Sequence, residues 1–223
     1  MRYVEGRAAL VAIDMHRGHL DPAIATLPLD ALRSHRVIER SAAFFRGLRD
    51  LDVPIIHVVT AYRDAAEILS NPFWRAKNDD PFATRHNIAR HNVSPSAGTQ
   101  VIPDLIDPAR DRVVATKKRY SAFLGTDLEF VLRALSISTV LLAGVNTNSC
   151  VLATAVEACN NDYRVVVVRD CVDSMDGDAA HDAGLLMIRT AFGWVAGSEE
   201  ILAELGERRR EPSEPAQRFA AQR

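Results

Sequence analysis

The chain reads as an α/β protein, a three-layer α/β/α domain around a doubly wound, mostly parallel sheet of about six strands. Two observations carry that reading. Short apolar runs such as Ala8-Ala9-Leu10-Val11-Ala12-Ile13 are unbroken. A strand half in water alternates, so these runs predict strands buried on both faces, as in parallel sheets. Between the runs lie segments of helical periodicity, and strand–helix alternation implies βαβ units with right-handed crossovers. A length of 223 residues suits one core of this kind.

The first strand ends at Asp14. Asp30 to Asp50 is helical, with Leu32, Val37, Ala43, Phe44 and Leu48 on the apolar side. Val53 to Val59 is the second strand, with Pro54 at its start, where a missing N–H is tolerated. Tyr62 to Val101 is polar, poorly periodic and punctuated by Asn71-Pro72, Asp80-Pro81 and Ser94-Pro95. Long irregular segments of this sort serve as lids or binding loops. Arg112 to Thr116 is the third strand, leading into Lys117. Thr126 to Leu135 is a helix with Thr126 as N-cap and Glu129 three residues on. Thr139 to Ala143 is the fourth strand, followed by a helix over Ser149 to Cys159. Arg164 to Arg169 is the fifth strand, Asp178 to Phe192 a helix, and Trp194-Val195 a last short strand. The domain is expected over 1–205. The stretch 206–223, rich in Arg, Glu, Pro and Gln, is expected to be a disordered or subunit-contacting tail.

Composition excludes several classes. A net charge of −2 gives no nucleic-acid footprint. The apolar runs are too short to span a bilayer, so no membrane partner is expected. The charged N-terminus has no leader-like apolar stretch. Three cysteines make no disulfide framework, and a reducing cytoplasm fits best.

Asp14, Lys117 and Cys150 stand at equivalent places, after the first, third and fourth strands. In a doubly wound sheet the carboxyl ends of strands converge on one crevice. Asp14 could take the thiol proton and pass it to a leaving amine. Lys117 could stabilise a thiolate and hold Asp14. Cys150 begins a helix, whose free N–H groups and positive end favour a thiolate. Backbone N–H groups in the turn before it could hold an oxyanion. Each residue alone has an ordinary reading as a cap, a solvated charge or a buried thiol; their convergence carries the inference.

Three stretches then carry a resemblance: Leu10-Val11-Ala12-Ile13-Asp14-Met15; Lys117-Lys118-Arg119-Tyr120-Ser121-Ala122-Phe123; and Ala143-Gly144-Val145-Asn146-Thr147-Asn148-Ser149-Cys150-Val151. The chain resembles the isochorismatase-like cysteine hydrolases over most of Ala8 to Leu205. Asp170, after the fifth strand, and Phe192-Gly193 fit as well. The resemblance implies a catalytic triad of Asp14, Lys117 and Cys150. It also implies a cis peptide between Val145 and Asn146, aiming the N–H groups of Asn146 and Cys150 at an oxyanion. The implied activity is hydrolysis of C–N bonds in a small amide, ureido or carbamoyl substrate through a thioester, with no cofactor. The alternatives are a vinyl ether hydrolase of the isochorismate type and a non-catalytic small-molecule binder. Family members are often homodimers or homotetramers.

The nicotinamidase branch carries Asp-x-His after its second strand, and this chain has Tyr62-Arg63-Asp64 there. Asp14-Met15-His16 with His19 could be offered as a metal cluster, but a zinc site needs three or four ligands in good geometry, and a loop with polar side chains near the pocket is the expected reading. His86 and His91 lie in the long loop with no partner at a recognisable spacing, so no metal is expected. Tyr62, Arg63, Phe73, Trp74, Tyr120 and Phe123 are candidates to shape the substrate pocket. Arg63 or Arg85 would suit a substrate carboxylate through a bidentate pair. Cys159 and Cys171 are expected to be structural, and His181 to lie at a helix cap or pocket edge.

Overall fold

The computed structural model describes residues 2–210. Its six strands are β1 (Ala8–Ile13), β2 (Ile55–Thr60), β3 (Arg112–Lys117), β4 (Thr139–Val145), β5 (Arg164–Asp173) and β6 (Trp194–Ala196). They form one all-parallel sheet in the order β3-β2-β1-β4-β5-β6. The helices are α1 (Arg17–Leu20), α2 (Ala31–Asp50), α3 (Ala65–Leu69), α4 (Pro72–Asn78), α5 (Leu128–Ala134), α6 (Leu152–Asn160), α7 (Asp178–Met187) and α8 (Ser198–Arg210).

The unbroken run of β1 is explained by what covers it. Leu10 and Ala12 pack into a core with Phe44, Phe45 and Leu48 of α2 and Ile201 of α8. Ala9, Val11 and Ile13 point the other way, into a core with Leu128 and Leu132 of α5 and Ala155 and Ala158 of α6. Period-two geometry thus serves two helical layers, and no position is left for a polar side chain.

Several boundaries differ from the expectation. On α2, Leu32 is 84% exposed and Ala43 also faces solvent, while Phe45 is fully buried. The buried face starts only at Ser34, because the first turn lies beyond the core. Asp30 caps this helix by accepting from the N–H groups of Leu32 and Arg33. The segment 62–101 is less irregular than its sequence, since it contains α3 and α4, capped by Asp64 and Asn71. β5 runs on to Asp173, so Asp170 and Cys171 lie within it rather than after it. The pairing with β4 jumps from Leu142↔Val167 to Gly144↔Val172, and this irregularity accommodates the extra residues. Asp170 accepts from the backbone N–H and hydroxyl of Ser198 at the start of α8. That helix continues through Gly206 to Arg210, so the expected tail boundary is too early. Arg208 and Arg209 donate to the carbonyls of Gly6 and Asp50 and hold its last turn. The remainder of the expected tail, 211–223, lies outside the described residues.

Candidate active site

The strand order reverses direction between β1 and β4, which makes their carboxyl ends the switch point of the sheet. Asp14 follows β1 there, and its N–H still donates to Val58 of β2. It adopts φ 53°, uncommon for a residue with a side chain. Gly144 at the end of β4 packs so closely on β1 that a Cβ would lie 1.9 Å from the Ile13 carbonyl oxygen. Only glycine allows β4 to deliver Cys150 to Asp14 at this range. Lys117 ends the edge strand β3, two strands from β1, and its long side chain spans the distance.

The three side chains meet. Lys117 Nζ donates to Asp14 Oδ2 at 2.6 Å and lies 3.4 Å from Cys150 Sγ. Thr60, the last residue of β2, binds both charges. Its N–H and hydroxyl donate to Asp14 Oδ1 at 3.0 and 2.7 Å, and its oxygen accepts from Lys117 Nζ at 2.8 Å. All four residues are buried.

Burial works against each charge, and the pairing decides which survive. Burial disfavours the Asp14 carboxylate, but Lys117 and His16 outweigh it and hold its pKa well below the ordinary value. Lys117 is likewise raised by Asp14 and Cys150 in spite of burial. Cys150 goes the other way. Burial pushes its thiol up to about 11, with Lys117 opposing and Asp14 reinforcing the shift. The resting site is therefore carboxylate, ammonium and neutral thiol. The expected helix-terminal thiolate is overturned because desolvation exceeds the attraction of Lys117.

The helix start also differs. Cys150 lies within a π-helical turn, Thr147–Val151, ahead of α6. Thr154, one turn on, donates to the Cys150 carbonyl at 2.7 Å and accepts from Ala122 N–H at 3.0 Å. One hydroxyl thus ties the turn bearing the cysteine to the stretch that follows Lys117. The Val145–Asn146 peptide is cis. Asn146 Oδ1 accepts from Met175 N–H, which holds the side chain away from the backbone turn.

A tight cavity of about 30 Å³ lies over the triad. Tyr62, Trp74 and Tyr120 line it, joined by Leu27 and Ile88. Trp74 Nε1 donates to Tyr120 Oη at 2.8 Å, which locks two of these walls. The other three candidates are not there. Arg63 is exposed and paired with Glu67. Phe73 is 60% exposed because α4 turns Trp74, not Phe73, inward. Phe123 is buried in the core beside Tyr163. Arg85 lines the cavity but is committed to Asp176, with Nη1 contacts of 2.6 and 2.7 Å. Arg119 also lines it. Its guanidinium stacks 5.0 Å from the Trp74 ring and donates to the carbonyls of Glu67 and Lys118 and to Ser70 Oγ. None of those partners is a carboxylate. His181 sits away from the cavity, hydrogen-bonded to Thr147 at 2.9 Å. Cys159 and Cys171 are free thiols.

His91 is the residue that spacing could not place. The segment 62–101 folds back so that His91 meets His19 and His16, with ring centroids 4.6 and 5.7 Å away. His19 and His91 line the cavity beside Asp14. Burial lowers the pKa of both, that of His19 to about 3, so both rings are neutral.

A parallel α/β sheet with an Asp–Lys–Cys cluster at its switch point defines a class, and comparison places the chain in it. The chain belongs to the isochorismatase family: the isochorismatase domain profile matches residues 8–200. It is 27% identical over 199 residues to maleamate amidohydrolase from Pseudomonas putida, covering 89% of this chain and 87% of that one. It is 26% identical over 218 residues to the ureidoacrylate amidohydrolase RutB of Methylobacterium radiotolerans, covering 92% and 81%. Among solved structures, N-carbamoylsarcosine amidase from Thermoplasma acidophilum superposes with a TM-score of 0.69 at 28% identity, covering 88% of this chain and 99% of that one.

Proposed function

We propose that the protein is an amidohydrolase acting on a non-peptide C–N bond of a small amide, ureido or carbamoyl compound, with Cys150 as nucleophile. The observation that carries the reading is the buried contact of Lys117 Nζ with both Asp14, at 2.6 Å, and Cys150 Sγ, at 3.4 Å. The names of the relatives support the reaction class.

The reaction begins with the neutral thiol. Asp14 takes the Cys150 proton as sulfur bonds to the substrate carbonyl carbon. This transfer leaves the net charge of the triad unchanged, since a carboxylate and a thiol become an acid and a thiolate beside the same ammonium. No charge is created in the buried site, which avoids the desolvation cost of an isolated ion. The N–H groups of Asn146 and Cys150 hold the oxyanion. As the tetrahedral species collapses, the C–N bond breaks and Asp14 gives its proton to the departing nitrogen. A water then attacks the thioester carbonyl, yielding its proton to Asp14. The C–S bond breaks, and the proton returns to the Cys150 sulfur as the acid leaves.

The lining narrows the substrate. Tyr62, Trp74 and Tyr120 present flat walls suited to a small planar compound. Among the described residues Arg119 is held by neutral groups, so the substrate carries a carboxylate facing it. Arg119 replaces Arg63 and Arg85 as the candidate for this contact.

The test is ammonia release from a panel of maleamate, ureidoacrylate, N-carbamoyl amino acids and uncharged amides, with Cys150→Ala beside the wild type. Release from the carboxylated members by the wild type alone is expected. Equal turnover by Cys150→Ala would overturn the thiol route, and preference for the uncharged amides would overturn the assignment of Arg119.

A further inference from the structure

Beside Asp14 the cavity wall carries the imidazoles of His19 and His91, with His16 behind them at 3.5 Å from Asp14 Oδ1, and none of the three takes part in the bond-making of the thiol route. His16 and His19 follow β1 three residues apart, His16 as the N-cap of α1 and His19 within it. His91 arrives from the far end of the segment 62–101. One ring nitrogen from each lies within 4.8 Å of the others, and all three residues are buried. Three buried imidazoles in contact have little to offer a hydrophobic core, where each displaces an apolar side chain and leaves polar nitrogens to satisfy.

The outer hydrogen bonds of two rings point to a purpose. His19 Nδ1 donates to the Leu27 carbonyl at 2.7 Å, which fixes the tautomer and leaves the Nε2 lone pair free to act as a ligand. His91 Nδ1 is hydrogen-bonded to Thr26 Oγ1 at 2.8 Å, again leaving Nε2. Metal-bound histidines are held in this way, with the second nitrogen on a carbonyl or hydroxyl that sets ring orientation. Leu27 and Thr26 are adjacent, so one turn of chain orients both rings. His16 is set by Asn92, whose Nδ2 lies 3.0 Å from His16 Nε2 and also donates to the Thr60 carbonyl.

We infer that His16, His19 and His91 form a binding site for a divalent transition metal such as zinc or cobalt, opening onto the substrate cavity. Three imidazoles suit such ions better than the oxygen-seeking calcium and magnesium. Tetrahedral zinc with bonds of 2.0–2.1 Å places its ligand nitrogens about 3.4 Å apart. The widest pair therefore closes by no more than roughly 1.4 Å on binding, since the three nitrogens lie within 4.8 Å of one another. A three-histidine set keeps a coordination position open, and because His19 and His91 line the cavity, that position faces the substrate. Asp14 and Lys117 already neutralise each other, so the dication leaves the cavity cationic and the open position favours an anionic oxygen. The donor set differs from the Asp-x-His pattern missing after β2, because two of its members follow β1.

The site deepens the proposed function but does not depend on it, and cobalt titration separates the two. Chelator-stripped protein is titrated with Co²⁺ while visible absorption and melting temperature are followed. One equivalent should bind, with ligand-field bands and a raised melting temperature. The set is Cys150→Ser, His19→Gln, His91→Gln and Thr26→Val. Cys150→Ser should bind as the wild type does, which excludes thiol ligation and holds even if the thiol route fails. Each histidine variant should lose the bands, and Thr26→Val should weaken binding about 10-fold. Circular dichroism of the stripped variants distinguishes lost ligation from lost folding; should a histidine variant misfold, Thr26→Val alone decides. Absence of binding by the wild type, or binding unaltered by the histidine and threonine variants, overturns the site.

Discussion

Thr60 and Asp14 hold the clearest residue-scale logic. Thr60 has no step of its own in the proposed route, yet among the described residues its hydroxyl bonds to both charges of the triad. Thr60→Val keeps the shape and removes the bridge. A hydrogen bond to a charged partner contributes about 1.5–3 kcal/mol, so kcat/KM should fall roughly 10- to 100-fold. Wild-type kcat/KM in this variant would mean that Lys117 and Asp14 need no third partner. The thiol supplies a second expectation at this scale. With its pKa raised to about 11, Cys150 is protonated at neutral pH. Alkylation by iodoacetamide, read at Cys150 by peptide mapping, should therefore be slow at neutral pH and climb steadily through the alkaline range. A rate that is already maximal at neutral pH would show a resting thiolate and reverse the charge assignment.

At the scale of elements, the segment between β2 and β3 covers the triad. Tyr62, Trp74, Arg85, Ile88 and His91 of this segment line the cavity of about 30 Å³ over Cys150, so loosening this cover should widen the way to the thiol. Asp176, just beyond β5, is its latch. It accepts from Thr84 and Arg85 of the cover and from Asn148 of the turn that carries Cys150. Asp176→Ala should free the cover, raising the rate of Cys150 modification by a bulky maleimide about 10-fold, the equivalent of one charge-assisted contact. An unchanged rate would place the entrance elsewhere. The same segment marks where sequence reading stops. β1 and β4 were legible because strands buried on both faces write themselves as unbroken apolar runs, and their ends located Asp14 and Cys150. Lys117 was legible for a weaker reason, as the end of β3, a mostly exposed edge strand of which Val114 and Lys117 are buried. Phe73 and Trp74, in contrast, are adjacent on α4, and only the packing of a short helix decides which one faces inward. His91 stands far from His19 in sequence, and no period or motif records that the chain returns to that point. A cap was the available signal: Asn71 ahead of Pro72 predicts a helix start, and with α4 placed, Trp74 becomes a candidate for the inward face.

For the whole molecule, the weak point of an open sheet is its edge, and β3 is an edge strand that carries a triad residue. Its attachment rests on Asp111, the residue before it, whose carboxylate is 1% exposed. Arg49 of α2 donates to it from Nε at 3.1 Å and Nη2 at 2.5 Å, His57 of β2 at 3.2 Å, and Asp107 N–H at 2.8 Å. One carboxylate thereby joins the helical layer, the neighbouring strand and the turn before β3. Burial disfavours its charge, but the hydrogen bonds from His57, Arg49 and Asp107 prevail and hold the pKa well below the ordinary value. A depressed folded pKa stabilises the protein fully above the unfolded value, about 3.9, and that contribution is lost as pH falls toward the folded value. Asp111→Ala leaves the Arg49 guanidinium, whose side chain is 12% exposed, without its carboxylate. The loss at neutral pH should be about 3 kcal/mol, read as a lower urea midpoint with an unchanged slope. The gap between variant and wild type should then narrow as pH falls below about 4, where the Asp111 carboxylate takes up its proton in the unfolded chain while it stays ionised in the folded one. Lys117 lies at the far end of the same six-residue strand, so the variant should also lose activity at urea concentrations the wild type withstands. A variant as stable as the wild type at neutral pH would show that β3 is held by its pairing with β2 alone.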